Sequence, residues 1–118
     1  MNNIRFIAFR SFLKEWRSIG LSDKDYCELK EVLSDDPEKG DLIIGSGGCR
    51  KLRVALSGTG KSGGARTIYF YYNSRGALFF LSVYRKSVKE DLIKAEVNEL
   101  RKLVKELKHS TEGSEFDV

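Results

Sequence analysis

Residues 55–72 read ALSGTGKSGGARTIYFYY, and two folds compete for them. Gly60-Lys61-Ser62 spells the GK[ST] triplet of a phosphate-binding loop, with Ala55 where the opening glycine of the pattern belongs. Such a loop runs directly into a helix, whose N-terminal amides and dipole hold the phosphate. Here Gly63 and Gly64 lead instead into Arg66-Thr67-Ile68-Tyr69-Phe70-Tyr71-Tyr72, a β-branched and aromatic run that favours a strand. A nucleotide-bound Mg²⁺ also needs an acidic ligand at the end of another strand. Between Leu42 and Lys89 there is neither Asp nor Glu. The stretch therefore reads as a glycine-rich loop, basic at its tip, between two strands, and no nucleotide cofactor is expected.

Working outward, the same window holds the charge. Nine basic residues lie in it: Arg50, Lys51, Arg53, Lys61, Arg66, Arg75, Arg85, Lys86 and Lys89. The chain has 21 Lys and Arg and 17 Asp and Glu, so all the acids lie outside this cationic piece. Ordinary solvated surfaces intersperse both signs. Segregation on this scale points to a polyanion, most simply nucleic acid. An accidental basic face, or a site for an acidic protein partner, is the alternative.

The 118 residues suffice for one domain with a single core, residues 1–108, followed by a flexible polar tail over 109–118. No run approaches the length of a membrane span and no signal-peptide core is present, so a cytoplasmic protein is expected, without membrane contact. Cys27 and Cys49 are too few and too far apart for a zinc site or a redox pair. Two buried free thiols are the expectation.

A short strand is expected over residues 4–8. Phe12, Leu13 and Trp16 then recur at helical spacing up to Gly20. Ser22 with Asp25 opens a second helix, with Tyr26, Leu29, Val32 and Leu33 on one face; it stops ahead of Pro37. DLIIG, residues 41–45, reads as a strand, and residues 50–56 alternate Leu52, Val54 and Leu56 against Lys51, Arg53 and Ala55. Residues 67–72 and 77–84 form a hairpin about Asn73-Ser74-Arg75-Gly76, apolar on both faces and hence central. Ser87 and Glu90 form a capping box for a last helix to about Leu107, striped by Ile93, Val97, Leu100, Val104 and Leu107. The fold class is α+β, ordered β-α-α-β-β-β-β-α, with a largely antiparallel sheet.

The lone histidine, His109, falls in the polar tail, so histidine-based acid–base chemistry and serine triads are excluded. Paired carboxylates are missing from the cationic window, which removes the glycosidase and Mg²⁺-nuclease templates. An enzyme acting here on nucleic acid must use Lys, Arg and Tyr. RNA permits this, because its 2′-hydroxyl can attack the adjacent phosphodiester without metal or added water. Guanidinium groups match phosphate oxygens bidentately.

The stretch GDLIIGSGGCRKLRVALSGTGKSGGARTIYFYYNSRGALFFLSVYRKS, residues 40–87, resembles the core of RelE/HigB-type toxins of bacterial toxin–antitoxin pairs. The likeness is to the HigB branch, with its basic strand, Gly/Lys loop and Arg-x-Ile-Tyr, and it extends over residues 21–107. It implies a RelE-like fold and an endoribonuclease that enters the ribosomal A site, cuts mRNA and is silenced by a cognate antitoxin. The family's catalytic basic residues then fall on Lys51, Arg53, Arg66 and Lys86, with Arg50 beside them; read from the residues themselves, Arg50, Lys61 and Arg85 are expected RNA contacts. A tyrosine used by some relatives near the start of the last helix aligns with Leu92, so its role is vacant or passes to Tyr84. A non-catalytic RNA- or ribosome-binding inhibitor of translation remains the alternative reading.

If the loop is no nucleotide site, the chain will bind Mg·ATP without saturation. Micromolar affinity lost on Lys61→Ala, measured by calorimetry, would overturn the strand reading.

Overall fold

A computed structural model describes residues 3–56, 64–89 and 91–112. Its elements follow the expected order: β1 (Arg5–Ala8), α1 (Arg10–Ser18), α2 (Asp23–Asp35), β2 (Asp41–Leu42), β3 (Cys49–Val54), β4 (Ala65–Tyr72), β5 (Ala77–Arg85) and α3 (Lys94–Glu112). One sheet contains all five strands, ordered β1-β5-β4-β3-β2. Every neighbouring pair is antiparallel except β1 with β5. β4 begins at Ala65, where a phosphate-binding loop would require its helix.

β4 and β5 are central, as two-sided apolar strands should be. In β4 only Arg66 and Tyr71 escape full burial. The helical hairpin of α1 and α2 covers one sheet face, where Phe12, Trp16, Leu29 and Leu33 pack with Tyr69, Leu78, Phe80 and Val83. Phe12 stacks on Phe80 with ring centroids 5.2 Å apart. Trp16 donates its Nε1 hydrogen to the Ser22 carbonyl at 2.8 Å, tying the end of α1 to the start of α2. The Ser22–Asp25 capping box is formed in full. α3 covers the other face, where Cys49, Ile68, Phe70, Phe79 and Val104 form a second core.

Several expectations need correction. β2 is only two residues long, because the Ile43 N–H turns back to the Cys49 carbonyl at 2.9 Å and closes a loop. Gly45, Gly47 and Gly48 in that loop all take positive φ, which side chains resist. α3 starts at Lys94, not after Ser87. The Val88 and Lys89 N–H groups turn back onto the Arg85 carbonyl, and Glu96 takes the capping role by accepting from the Ile93 N–H at 2.9 Å. Ile93 thus precedes the helix and is exposed, as is Val32 on α2. The helical backbone of α3 runs on to Glu112, so His109 lies within its last turn.

Cys27 is exposed, against the expectation of two buried thiols. Cys49 is buried, and burial pushes its thiol up to about 11 against the partial pull of the Ser46 hydroxyl. No described helix is long and apolar enough to cross a membrane.

Tyr69 joins the sheet to the loop after α2. Its buried hydroxyl accepts from the Gly40 N–H at 3.0 Å and donates to the Pro37 carbonyl at 2.8 Å. A β-carbon on Gly40 would sit 3.0 Å from that hydroxyl, so only glycine allows the approach. Tyr69→Phe should cost about 1–3 kcal/mol in urea unfolding, because it strands two backbone groups. Thr67, whose buried hydroxyl has no partner among the described residues, provides the contrast. Thr67→Val should be neutral or stabilising. Equal losses from both changes would contradict this account.

Candidate RNA-binding and cleavage site

The ladder between β3, β4 and β5 aligns three side chains across the sheet. Arg53 pairs in register with Arg66, and Arg66 with Tyr84. Directly opposed side chains on one face have their β-carbons about 4.5–5.5 Å apart. Arg53 is exposed, Arg66 half-buried and Tyr84 buried, so the row descends from solvent into the sheet. Lys51 lies one pleat away on β3 and shares this face.

Tyr84 joins the row through a bulge. Ile68 pairs with Ser82 but Tyr69 pairs with Phe80, which leaves Leu81 as an extra residue in β5. The bulge reverses the alternation. Phe79, Leu81 and Tyr84 therefore share the α3 core, while Phe80 and Val83 belong to the hairpin core. Without it, strict alternation would turn Tyr84 toward α1 and α2.

Like charges set opposite each other weaken a sheet. Yet neither Arg53 nor Arg66 pairs with a carboxylate among the described residues. Among the described residues, the Arg66 guanidinium makes only a long 3.4 Å bond to the Ala65 carbonyl. The Tyr84 hydroxyl is buried with no hydrogen-bond partner among the described residues. Burial raises its pKa first, Asp91 and Glu96 add to the rise, and Arg66 opposes it. The group is thus a phenol that holds its proton at neutral pH.

The other predicted residues do not all converge. Arg50 points to the hairpin side, donating to the carbonyls of Glu38 at 3.1 Å and Gly40 at 2.8 Å. Arg85 donates to the Ile19 carbonyl at 2.8 Å, closing the C-terminal end of α1. Both guanidinium groups brace the fold away from the row. The half-buried Lys86 prolongs the β4–β5 ladder, its N–H bonded to the Gly64 carbonyl at 3.1 Å. Lys61 lies outside the described residues.

Sequence reading missed the acids that return to this face. Asp91 lies two residues beyond the acid-free window, and its carboxylate pairs with Lys51 at 3.1 Å. The bond from the Leu92 N–H and the Lys51 ammonium lower its pKa. Glu96 pairs with Lys89, whose ammonium sits 5.3 Å over the Tyr84 ring. A count along the chain cannot find these pairs, because the connection from β5 to α3 folds back over the sheet. No cluster of three or more metal-ligating side chains occurs among the described residues.

Residues 4–115 match the family model described as the RelE toxin of the RelE/RelB toxin–antitoxin system. The chain belongs to the RelE toxin family. Among solved structures, a mutant E. coli RelE toxin in the free state has a TM-score of 0.53 at 22% identity, covering 74% of this chain and 87% of that one. The isolated E. coli RelE toxin gives 0.50 at 20% identity over 85% of this chain and 98% of its own. The E. coli RelBE toxin–antitoxin complex gives 0.48 at 24% identity, covering 68% and 93% respectively. At these identities the structural likeness is one of fold. It agrees with the α+β architecture expected from the resemblance.

Within this RelE fold, Gly64 makes room for the row. A β-carbon there would lie 2.9 Å from the Val54 carbonyl oxygen and 3.4 Å from Arg53 Nε. The backbone must move to accept it. Gly64→Ala should lower stability by about 1–3 kcal/mol, the usual cost of overpacking, and displace Arg53. Unchanged urea midpoints would show that the row does not depend on Gly64.

Proposed function

We propose that this RelE-family chain is a metal-independent endoribonuclease, the toxin of a type II pair, that cuts mRNA in the ribosomal A site and so stops translation. One observation carries the reading: two guanidinium groups opposed in register beside a buried phenol, none of them with a carboxylate or hydrogen-bond partner of its own to neutralise it among the described residues beyond the long Arg66 bond to Ala65. As a purely structural feature this arrangement costs stability. As a phosphodiester site, each group has a task.

The ribose 2′-oxygen attacks phosphorus and the P–O5′ bond breaks, leaving a 2′,3′-cyclic phosphate and a 5′-hydroxyl. Charge grows on the non-bridging oxygens in the transition state. Arg66, half-buried at the centre of the row, meets that charge where the surrounding sheet weakens screening. Arg53, at the exposed end, holds the adjoining backbone phosphate. Tyr84 keeps its proton at neutral pH and can give it to the departing 5′-oxygen. The proton of the 2′-hydroxyl passes to water. Lys51 and Lys86 add positive charge on either side, and Lys61 would contact backbone phosphate from the loop.

A cationic face of this kind needs a cover in the cell that makes it. Opposite charge with apolar contact is the plain physical solution, so we assign the chain a cognate antitoxin as partner. Its site of action is the cytoplasm, with the translating ribosome.

Primer extension on translated message tests the reading. Arg66→Ala should cut about 10²- to 10³-fold more slowly while ribosome association survives, because the interaction strengthens only in the transition state. Arg66→Lys should not recover wild-type cutting, since a point charge lacks the bidentate fork. Stalls without breaks in the wild type would make the chain a binder. Unimpaired cutting by Arg66→Ala would move the site elsewhere.

A further inference from the structure

The connection from β5 to α3 does more than join two elements. Asp91 reaches across the sheet to Lys51 on β3, with an N–O distance of 3.1 Å. The side chain of Asp91 is 73% exposed and that of Lys51 only 25%, so the carboxylate comes to the lysine from the solvent side. Lys89, in the same connection, is paired with Glu96 and sits over the Tyr84 ring. Leu92 packs into the core that contains Tyr84. Val88 and Ile93, apolar and in the same connection, stay exposed at 78% and 64%.

These contacts occupy Lys51 while Arg53 stays open to solvent. A carboxylate offers two anionic oxygens to an ammonium group, much as a phosphodiester does. We infer that Asp91 is a latch that occupies, on Lys51, the position that an RNA phosphate takes, so that RNA binding has to displace Asp91. The inference rests on the proposed RNA-binding role of this face. The buried Tyr84 hydroxyl fits it, because it has no partner among the described residues and an entering substrate can supply one.

The latch is held by little. An exposed ion pair contributes about 0.2–1 kcal/mol, so an incoming phosphate can compete with it. Its energetic signature lies in salt dependence. Pairing a phosphate with Lys51 frees a cation condensed on the RNA, but in the wild type the displaced Asp91 carboxylate stays beside that phosphate and retains a cation in its place. With Asp91 neutralised, the same contact releases one.

The test is binding of a single-stranded 2′-O-methyl RNA oligonucleotide, which keeps the phosphates and blocks cutting, followed across salt concentrations. Asp91→Asn retains an acceptor for the Leu92 N–H and should tighten binding up to about fivefold, the equivalent of an exposed pair. The slope of log affinity against log salt should steepen by about 0.7. Asp91→Ser, a second variant, should act alike. Glu31→Gln, which removes one negative charge from an exposed position on α2, should change neither quantity. On a Lys51→Ala background the gain from Asp91→Asn should vanish. A gain equal to that of Glu31→Gln, or one that persists without Lys51, overturns the latch, as does no detectable binding by any variant. Failure of the proposed function reads differently, as uncut translated message whatever the oligonucleotide affinities.

Discussion

Everything at the candidate site depends on register. Side chains alternate along a strand, so a slip of one residue would send Arg53 and Arg66 to the hairpin side. Apolar neighbours prevent the slip. Leu52, Val54, Ala65 and Val83 pack with the helical hairpin, while Cys49, Ile68 and Phe70 pack with α3. Burying these side chains on the wrong face would forfeit about 1.5–3 kcal/mol for each large one. That far exceeds the few tenths to 1 kcal/mol by which two opposed guanidinium groups repel. The core therefore imposes a row that its own charges resist, and the bulge at Leu81 adds Tyr84 to it.

Much of this was legible in the sequence because it is local. The Ser22–Asp25 box, the stop before Pro37 and the alternation of Leu52 and Val54 against Lys51 and Arg53 depend on residues a few positions apart. So does the strand after Gly64, which excluded a nucleotide loop. The start of α3 was misread for a comparable reason. Ser87 and Glu90 spell a cap, but so do Ile93 and Glu96 through the glutamate alone, and the structure uses the second. Tyr84 could be named as a candidate, but its face could not be derived. A bulge leaves no mark in a strand whose residues are apolar on both sides, as those of β5 are.

The arginines show where charge counting stops being informative. Arg50 and Arg53 are three residues apart on one strand and so face opposite ways. The first serves two backbone carbonyls of the α2–β2 connection, and the second stands open. Arg85 follows Tyr84 by one residue and turns to the Ile19 carbonyl. Nine basic residues in one window thus do not make nine contacts for a polyanion. Strand parity divides them between bracing the fold and lining the row, and parity becomes readable only once register is known.

The α3 side of the sheet is core at one end and site at the other. Phe70 and Phe79 lie stacked beneath the helix with ring centroids 6.2 Å apart, and Val104 is buried over this core. Arg53 and Arg66 lie toward the other end of the ladder, where β5 gives way to the connection and Asp91 reaches Lys51. The position of α3 therefore couples stability to access. Its first turn carries Glu96, paired with Lys89, and Asp91 lies just ahead of it, whereas Val104 is buried farther along the helix. A partner that grips this end meets two ion pairs, the Lys89 ammonium over the Tyr84 ring and Leu92 at the edge of the second core. One that grips the far end would have to disturb the second core. Control of access is cheapest where α3 begins.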